Sequence, residues 1–443
     1  MNIQKKFVIY TFSCLLLSFI CNSSIQSHPI QRLEVSSTLN PVGSGARAFG
    51  MGDAYIAVAD DATAASWNPA ALNNLEHPEL SLVAVNYQNI EKNNFGTNPE
   101  ANGIRCVYKN SLNYFSLTYP FEISTSSRTY PIVLSLNYQN LYNFDREWRP
   151  TFFLQTEGFV LKQNIDYIQS GNLSALGLAG CIEIIKNLSV GLTINIWNSE
   201  LTSNNWEKKV YQIGSGTNEG HEFVFTYTAY DKYEFNGFNV NFNIGALWKK
   251  EYPNHSINIG TVIKTPFRAD ITHQSKYQYS LHYLEKEDPE PDNSYSYDEK
   301  DTVDLPLSYG IGVACVFDKL NLKVDIDLYI TDWDDYIITE PNVNDDSYKD
   351  TIKVCLGMEY LFFRENYINS IIPLRTGLFY DPVPEDDYYG FSLGFGIHKD
   401  KFHFDVGYQY RFGNNVSKYI YKSLKFSQDV KEHTICASFI YRL

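Results

Sequence analysis

The chain has 443 residues, a length that two or three soluble domains or one large closed barrel would each fill. Aromatic residues make up 15% of it, with 34 Tyr and 28 Phe against 3 Met, and mean hydropathy is −0.29, which excludes a bundle of membrane helices. The balance of 36 Lys and Arg against 51 Asp and Glu leaves −15, the wrong sign for a phosphate backbone, so no nucleic-acid partner is expected.

At the start, Lys5 and Lys6 precede an apolar run from Phe7 to Ile20, followed by Cys21, Asn22, Ser23 and Ser24. This is the layout of an export signal over residues 1–24, and the run is too short to span a bilayer. Ile20 is bulky where a lipidated Cys21 wants a small neighbour, which disfavours a lipid anchor. Without the leader the net charge is −17, and five cysteines remain: Cys106, Cys181, Cys315, Cys355 and Cys436. None has CxxC spacing, so no zinc site, other metal site or disulfide framework is expected, and each reads as a small apolar filler of a strand.

Residues 25–78 form an extension whose informative part is Gly43 to Leu72, GSGARAFGMGDAYIAVADDATAASWNPAAL, rich in Gly and Ala and without period two. A segment packed inside a narrow barrel needs small residues so that its backbone can approach the wall, the role expected of Gly45, Gly50 and Gly52. Asp60 and Asp61 read as a helix N-cap and a first-turn acid. Pro69 fixes a turn that Asn68 closes with its side-chain amide, with Ala70 following. A plain helix or linker is the simpler alternative, but a linker has no need of so many small residues beside Trp67.

From Glu79 onward the chain alternates apolar with polar or small residues, the period of a strand with two unlike faces. Leu320, Leu322, Val324, Ile326, Leu328 and Ile330 share one face, and Asn321, Lys323, Asp325, Asp327 and Tyr329 the other. Residues 402–412 repeat this with His403, Asp405, Gly407, Gln409 and Arg411 on the second face, too polar for the core of a sandwich. A membrane barrel turns its apolar face to lipid and keeps a polar or small interior. Strands are expected at 79–90, 103–121, 130–144, 171–184, 187–198, 235–249, 255–270, 303–317, 320–331, 351–363, 370–380, 388–398, 401–411 and 432–443. After the second strand the connections alternate short and long, and the even strand number fits an outer-membrane barrel with both ends in the periplasm. Thr151 to Ser170 is β-like (Phe159, Leu161, Ile165, Tyr167) and is assigned to an external loop or strand extension. The fold class is therefore all-β: a transmembrane antiparallel β-barrel of about 14 strands over residues 79–443.

Three stretches carry a family resemblance: the Gly45, Ala46, Gly50 and Gly52 set with Ala59-Asp60-Asp61-Ala62 and Trp67-Asn68-Pro69-Ala70; Leu374 to Pro382; and Asp332 to Tyr336. Together they resemble the FadL-like outer-membrane barrels, which include long-chain fatty acid and aromatic hydrocarbon transporters and PorV-like proteins of a secretion system. The resemblance covers nearly the whole mature chain. It implies that the extension folds into a small hatch, or plug, inside the lumen, with Gly45, Gly50, Gly52, Asp60, Asp61, Asn68, Pro69 and Ala70 as its gating residues. It further implies a monomer in the bacterial outer membrane, surrounded by lipid, that takes up a hydrophobic, long-chain fatty acid-like small molecule. The alternative is a PorV-like carrier or anchor whose partner is an exported protein. The chain ends on Leu443, where many such barrels end on an aromatic residue.

No phosphate loop, HExxH or GxSxG turn is present, so neither catalytic residues nor a cofactor is expected. His403 and Asp405 read as wall neighbours, and the nine carboxylates between Glu285 and Asp304 as a solvated external loop. Trp197, Trp206, Trp248 and Trp333 read as interfacial girdle or loop-packing residues.

Overall fold

Segments that alternate in this way are stable only where each face finds its own solvent and every backbone amide finds a neighbour, conditions a closed sheet in lipid meets. A computed structural model describes residues 43–126, 128–285, 293–333, 349–364, 370–384, 386–418 and 424–443. The export signal expected over residues 1–24 and the front of the extension lie outside the described residues, as do parts of the acidic stretch and of the Asp332 to Tyr336 motif.

Twenty strands follow in chain order: β1 (Glu79–Phe95), β2 (Gly103–Ser124), β3 (Thr129–Asn143), β4 (Arg146–Trp148), β5 (Thr151–Thr156), β6 (Phe159–Ile185), β7 (Leu188–Trp197), β8 (Asn204–Asn218), β9 (His221–Phe235), β10 (Asn239–Glu251), β11 (Ser256–Lys264), β12 (Phe267–Tyr283), β13 (Asn293–Leu305), β14 (Ser308–Phe317), β15 (Leu322–Thr331), β16 (Thr351–Arg364), β17 (Ser370–Tyr380), β18 (Tyr389–Lys399), β19 (Phe402–Val416) and β20 (Phe426–Arg442). Fourteen of them close a ring in the order β1, β2, β3, β6, β7, β10, β11, β14, β15, β16, β17, β18, β19, β20. The ring shuts where β20 pairs with β1, from Glu79↔Arg442 to Phe95↔Phe426, and its pairings are antiparallel. These are the fourteen strands read from alternation, except that 267–270 and 303–305, expected within two of them, belong to β12 and β13.

Leu82, Leu117, Leu134, Leu178, Ile244, Ile311, Ile326, Leu378 and Ile435 are exposed on the outside of the ring, while Ser116, Asn137, Thr193, Asp325, Glu359 and Asp405 are buried inside it. That is the inverse of a soluble protein and the pattern lipid selects. At the end carrying the long connections, Tyr380, Tyr389, Phe412, Tyr410 and His433 meet in succession at 5.3, 6.1, 5.7 and 5.0 Å between ring centres. At the short-turn end Phe402 contacts Phe439 and Tyr441 at 6.1 and 5.1 Å, so an aromatic band borders each end of the apolar zone. The Trp residues depart from the girdle reading. Only Trp248 is among the exposed hydrophobics; Trp197, Trp206 and Trp333 are buried. They occupy inward positions where their ring N–H groups can find partners, Trp197 donating to Asn241 Oδ1 at 3.0 Å and Trp333 to Thr351 Oγ1 at 3.1 Å. Of the cysteines, Cys181, Cys355 and Cys436 are buried fillers, but Cys106 is exposed, and all five are free.

The six remaining strands build a second sheet beyond the long-connection end. β6 has 27 residues, roughly 90 Å of strand, far more than a bilayer needs. Its first half leaves the ring, accepts β4 and β5 on one edge and continues through β8, β9, β12 and β13 on the other. Thr151 to Ser170 is thus β5 and the extension of β6. The two other long stretches expected as loops, 198–234 and 272–302, contain β8, β9 and most of β12 and β13. Here water replaces lipid and the alternation reverses: Phe223, Phe225, Tyr227, Ala229, Tyr233 and Phe235 of β9 are buried, and Thr226, Thr228, Tyr230 and Lys232 between them are partly exposed. Asp231 is buried on the same face. Burial alone would raise its carboxyl, but His273, Lys208 and Ser275 around it hold it below the ordinary value.

Candidate functional site

The segment from Gly43 to Leu75 is buried almost throughout and lies against the inner face of the ring. Its own framework is short: α1 (Ala46–Gly50), α2 (Ala64–Trp67) and a 3-10 turn (Pro69–Asn74). Trp67 organises it, donating to the Ser44 carbonyl at 2.7 Å and meeting Tyr55 edge-on at 5.8 Å. The wall then binds its backbone from many sides. Ser438 of β20 accepts from Ala46 N (2.7 Å), Ser392 of β18 donates to Gly50 O (2.9 Å), and Tyr114 of β2 donates to Ala62 O (2.7 Å). On the other arc, Asp327 of β15 accepts from Tyr55 N and Ile56 N at 2.6 and 2.8 Å. Asn258 of β11 donates to Ala57 O at 3.1 Å, and Thr193 and Ser189 of β7 to Ala65 O and Ala70 O at 2.8 and 2.9 Å.

The residues singled out from sequence all fall in this packing. Gly45 and Gly52 have φ of 118° and 64°, a region costly for residues with a Cβ, and a Cβ on Gly50 would lie 2.9 Å from Cα of Gly394. Asn68 caps the 3-10 turn by accepting from Ala70 N at 3.1 Å, and its Nδ2 reaches Ile56 O and Ala246 O, each at 3.1 Å. Asp61 accepts from Thr63 N at 2.9 Å just ahead of α2, a turn-capping role, and from the Tyr55 hydroxyl at 2.9 Å. Asp60 is not a cap. It is paired with Arg47 and with Lys323 of β15 (2.8 Å), because it faces the short-turn mouth where that lysine projects.

A network of charges whose pairing sequence reasoning missed ties Arg47 of this segment to the wall. Arg47 Nη2 donates to both oxygens of Glu359 at 3.2 Å; Lys323 lies 3.2 Å from Glu359; Arg375 reaches Glu359 and Asp405, each at 2.6 Å. The signal was present as charges on inward strand positions, but their pairing depends on which strands adjoin. His403 shows the same limit. Asp405 takes His398 Nε2 at 3.0 Å, and His403 stacks on the His398 ring at 4.1 Å instead of binding the carboxylate, because His398 and His403 are register partners across the β18–β19 turn.

Wall glycines make room. A Cβ on Gly191 would lie 2.3 Å from Pro69 C, and one on Gly377 2.4 Å from Met51 C. Gly377→Val is expected to cost about 1–3 kcal/mol through overlap with the segment, not the ladder, raising its cleavage in limited proteolysis. Gly180→Val, beside Leu134 on the outer face, is the control and should leave the cleavage pattern unchanged.

The segment divides the bore. On the short-turn side lies a polar vestibule of about 480 Å³, bordered by Asp60, Glu76, Glu183, Glu251, Lys249 and Lys323. On the other side are two smaller spaces. The first, about 100 Å³, is lined by Phe49, Val85, Tyr87, Leu141, Tyr142 and Phe379 and by a charged flank of Asp53, Lys353, Asp381, Arg411 and Glu432. The second, about 40 Å³, has Tyr142, Trp197, Phe267 and Trp333 with Asn195, Asn241 and Asn243. They adjoin at Leu141 and Tyr142. There the wall is incomplete: the β2–β3 ladder ends at Tyr114↔Gln139, although β2 continues to Gly103, and β3 shifts register against β6 between Asn140 and Tyr142. Side chains cross the seam, Asn113 to Asn140 O (3.2 Å), Lys109 to Asp145 (2.9 Å) and Arg105 to Arg149 O (2.8 Å).

A sequence model described as "Outer membrane protein transport protein (OMPP1/FadL/TodX)" matches residues 37–442. Among solved structures, the chain is similar to a FadL homologue of Pseudomonas aeruginosa (15% identity, TM-score 0.53, covering 90% of this chain and 98% of that one). It is also similar to the toluene transporter TodX of Pseudomonas putida (12%, 0.53, 92% and 100%) and to the toluene transporter TbuX of Ralstonia pickettii (12%, 0.51, 91% and 99%). At these identities the likeness speaks for the fold. No curated protein gives a significant sequence match.

Proposed function

The chain belongs to the OMPP1/FadL/TodX family of outer membrane transport proteins, and from that premise we propose that it admits hydrophobic small molecules through a plugged barrel, with Gly43 to Leu75 as the plug. Its place is the bacterial outer membrane, and its fold and family are those of transport channels. The two kinds of ligand that the family resemblance allows are long-chain fatty acids and aromatic hydrocarbons. The plug residues Gly45, Gly50, Gly52, Asp60, Asp61, Asn68, Pro69 and Ala70 hold the bore shut by the contacts described above. The family match does not favour the alternative of a carrier for exported proteins.

One observation carries the route. The two spaces beyond the plug meet at Leu141 and Tyr142, and the first of them is also lined by Ser111, Asn113 and Asn140, the residues at the interrupted β2–β3 seam. An apolar molecule captured there has a short path sideways into lipid, while the axial path is blocked by a segment bonded to the wall on many sides. Leaving sideways also keeps the ligand out of water, where each buried CH₂ it re-exposed would cost about 0.8 kcal/mol. A disulfide across the seam tests this. In a Cys106→Ser background, Asn113→Cys with Asn140→Cys should abolish uptake of a hydrophobic probe into proteoliposomes when oxidised, and reductant should restore it. The control pair Thr118→Cys with Ser135→Cys bridges an intact ladder position and should leave uptake unchanged. Equal uptake by the oxidised and reduced seam variant would rule out the lateral route.

A further inference from the structure

The charged flank of the first space bears on which hydrophobic molecule enters, an inference that rests on the uptake reading. It holds two cations and three carboxylates, and the cations are already engaged. Arg411 puts Nε 2.8 Å from Asp381 and Nη1 3.1 Å from Glu432, and Nη2 donates to the Asp381 carbonyl at 3.4 Å. One face of its guanidinium lies over the Tyr388 ring at 3.7 Å. Lys353 lies 2.7 Å from Asp53 of the plug and 3.7 Å from Asp381, and Asp53 also accepts from Gln409 at 2.8 Å. These groups leave one net negative charge on the flank. In the second space the polar lining is largely asparagine, serine and threonine, with one lysine, Lys264.

We propose that the first space selects uncharged hydrophobes and rejects carboxylates, the paired Arg411 and Lys353 acting as specificity determinants because both cations that line it already hold carboxylates. A carboxylate entering the first space would have to displace Asp381 or Glu432 from Arg411, or Asp53 from Lys353. Displacing Glu432 or Asp53 leaves a buried carboxylate without its cation, the costly half of breaking a buried ion pair, and displacing Asp381 throws it onto Lys353, already held by Asp53. A neutral molecule asks for no exchange. It has the Trp197 ring stacked on Phe267 at 5.2 Å to lie against, and neutral amides to meet at most a hydroxyl.

The test uses the full chain in lipid nanodiscs at pH 8, with 1-decanol and decanoate as probes of equal length, read by quenching of tryptophan fluorescence. Decanol is expected to bind at least about tenfold more tightly than decanoate. The double variant Asp381→Asn, Glu432→Gln releases Arg411 and should improve decanoate binding by at least about tenfold, which a purely structural role for these acids would not do. Glu432→Gln alone should give part of that gain and serves if the double variant does not fold. Decanoate binding to the unmodified protein as tightly as decanol overturns the proposal, as does a folded variant with no gain. Binding of neither probe, with no uptake into proteoliposomes, sinks the uptake reading and the proposal together, so the two failures are told apart.

Discussion

Deleting Gly43 to Leu72 is expected to turn a protein that scarcely conducts into an open channel, with single-channel conductance in planar bilayers rising by at least about tenfold. The estimate follows from strand number. An eight-stranded barrel is filled by its own side chains, whereas barrels of 16–18 strands hold a water-filled channel, and a ring of fourteen lies close to the second case. Its wall is unusually thin where the plug sits, because Gly191, Gly357, Gly377 and Gly407 carry no side chain into the bore. Once the plug is gone, most of the wall side chains that met it, among them Ser189, Thr193, Asn258, Asp327, Glu359 and Ser438, are polar and prefer water. The ring itself should survive, since its pairings run strand to strand and close at β1–β20 without the plug. Heat-modifiable migration of the deleted protein on a gel checks that. A folded, deleted barrel with unchanged conductance would mean that something other than this segment seals the bore.

What could be read beforehand, and what could not, follows from which interactions are local. The ring strands were legible because alternation between lipid and lumen is written along each one, as in Leu320 to Ile330. The outer sheet was hidden by the reversal of its environment. In β9 the aromatic face from Phe223 to Phe235 is buried and the Thr and Lys face meets water, the reverse of a ring strand, and the alternation itself does not say which solvent each face meets. That Gly43 to Leu75 packs against the wall was legible from its small residues, and the turn cap Asn68 from its position before Pro69. The wall glycines opposite it were not, since a glycine on the lumen face of a strand reads like any other small residue until Pro69 or Met51 is seen resting on it. Ionic partners were the least accessible. Arg47 and Glu359 are 312 positions apart, and only ring closure and register bring them together. The misassigned partner of Asp405 is the small-scale version: on a strand, residues two apart share a face, but the closer ring came from the next strand across a turn.

Arg375→Met should produce the largest loss of stability from a single substitution. The Arg375 side chain is fully buried and holds two buried carboxylates, Glu359 through Nε and Asp405 through Nη1, each at 2.6 Å. Removing it leaves Glu359 with Arg47 and Lys323, and leaves Asp405 with His398 alone. Breaking a buried pair from one side costs about 3–5 kcal/mol, most of it the uncompensated charge. Arg375→Lys should recover only part of the loss, since one ammonium cannot reproduce the guanidinium fork that spans two strands. The compensated variant Arg375→Met, Glu359→Gln, Asp405→Asn removes the stranded charges and should regain most of it. Urea unfolding in liposomes, followed by tryptophan fluorescence, ranks the set. If Arg375→Met unfolds where the unmodified protein does, the ion pairs between β16, β17 and β19 contribute nothing net. The segment from Gly43 to Leu75 would still be tied to the wall by its own pairs, Asp60 with Lys323 and Asp53 with Lys353, and by its backbone hydrogen bonds.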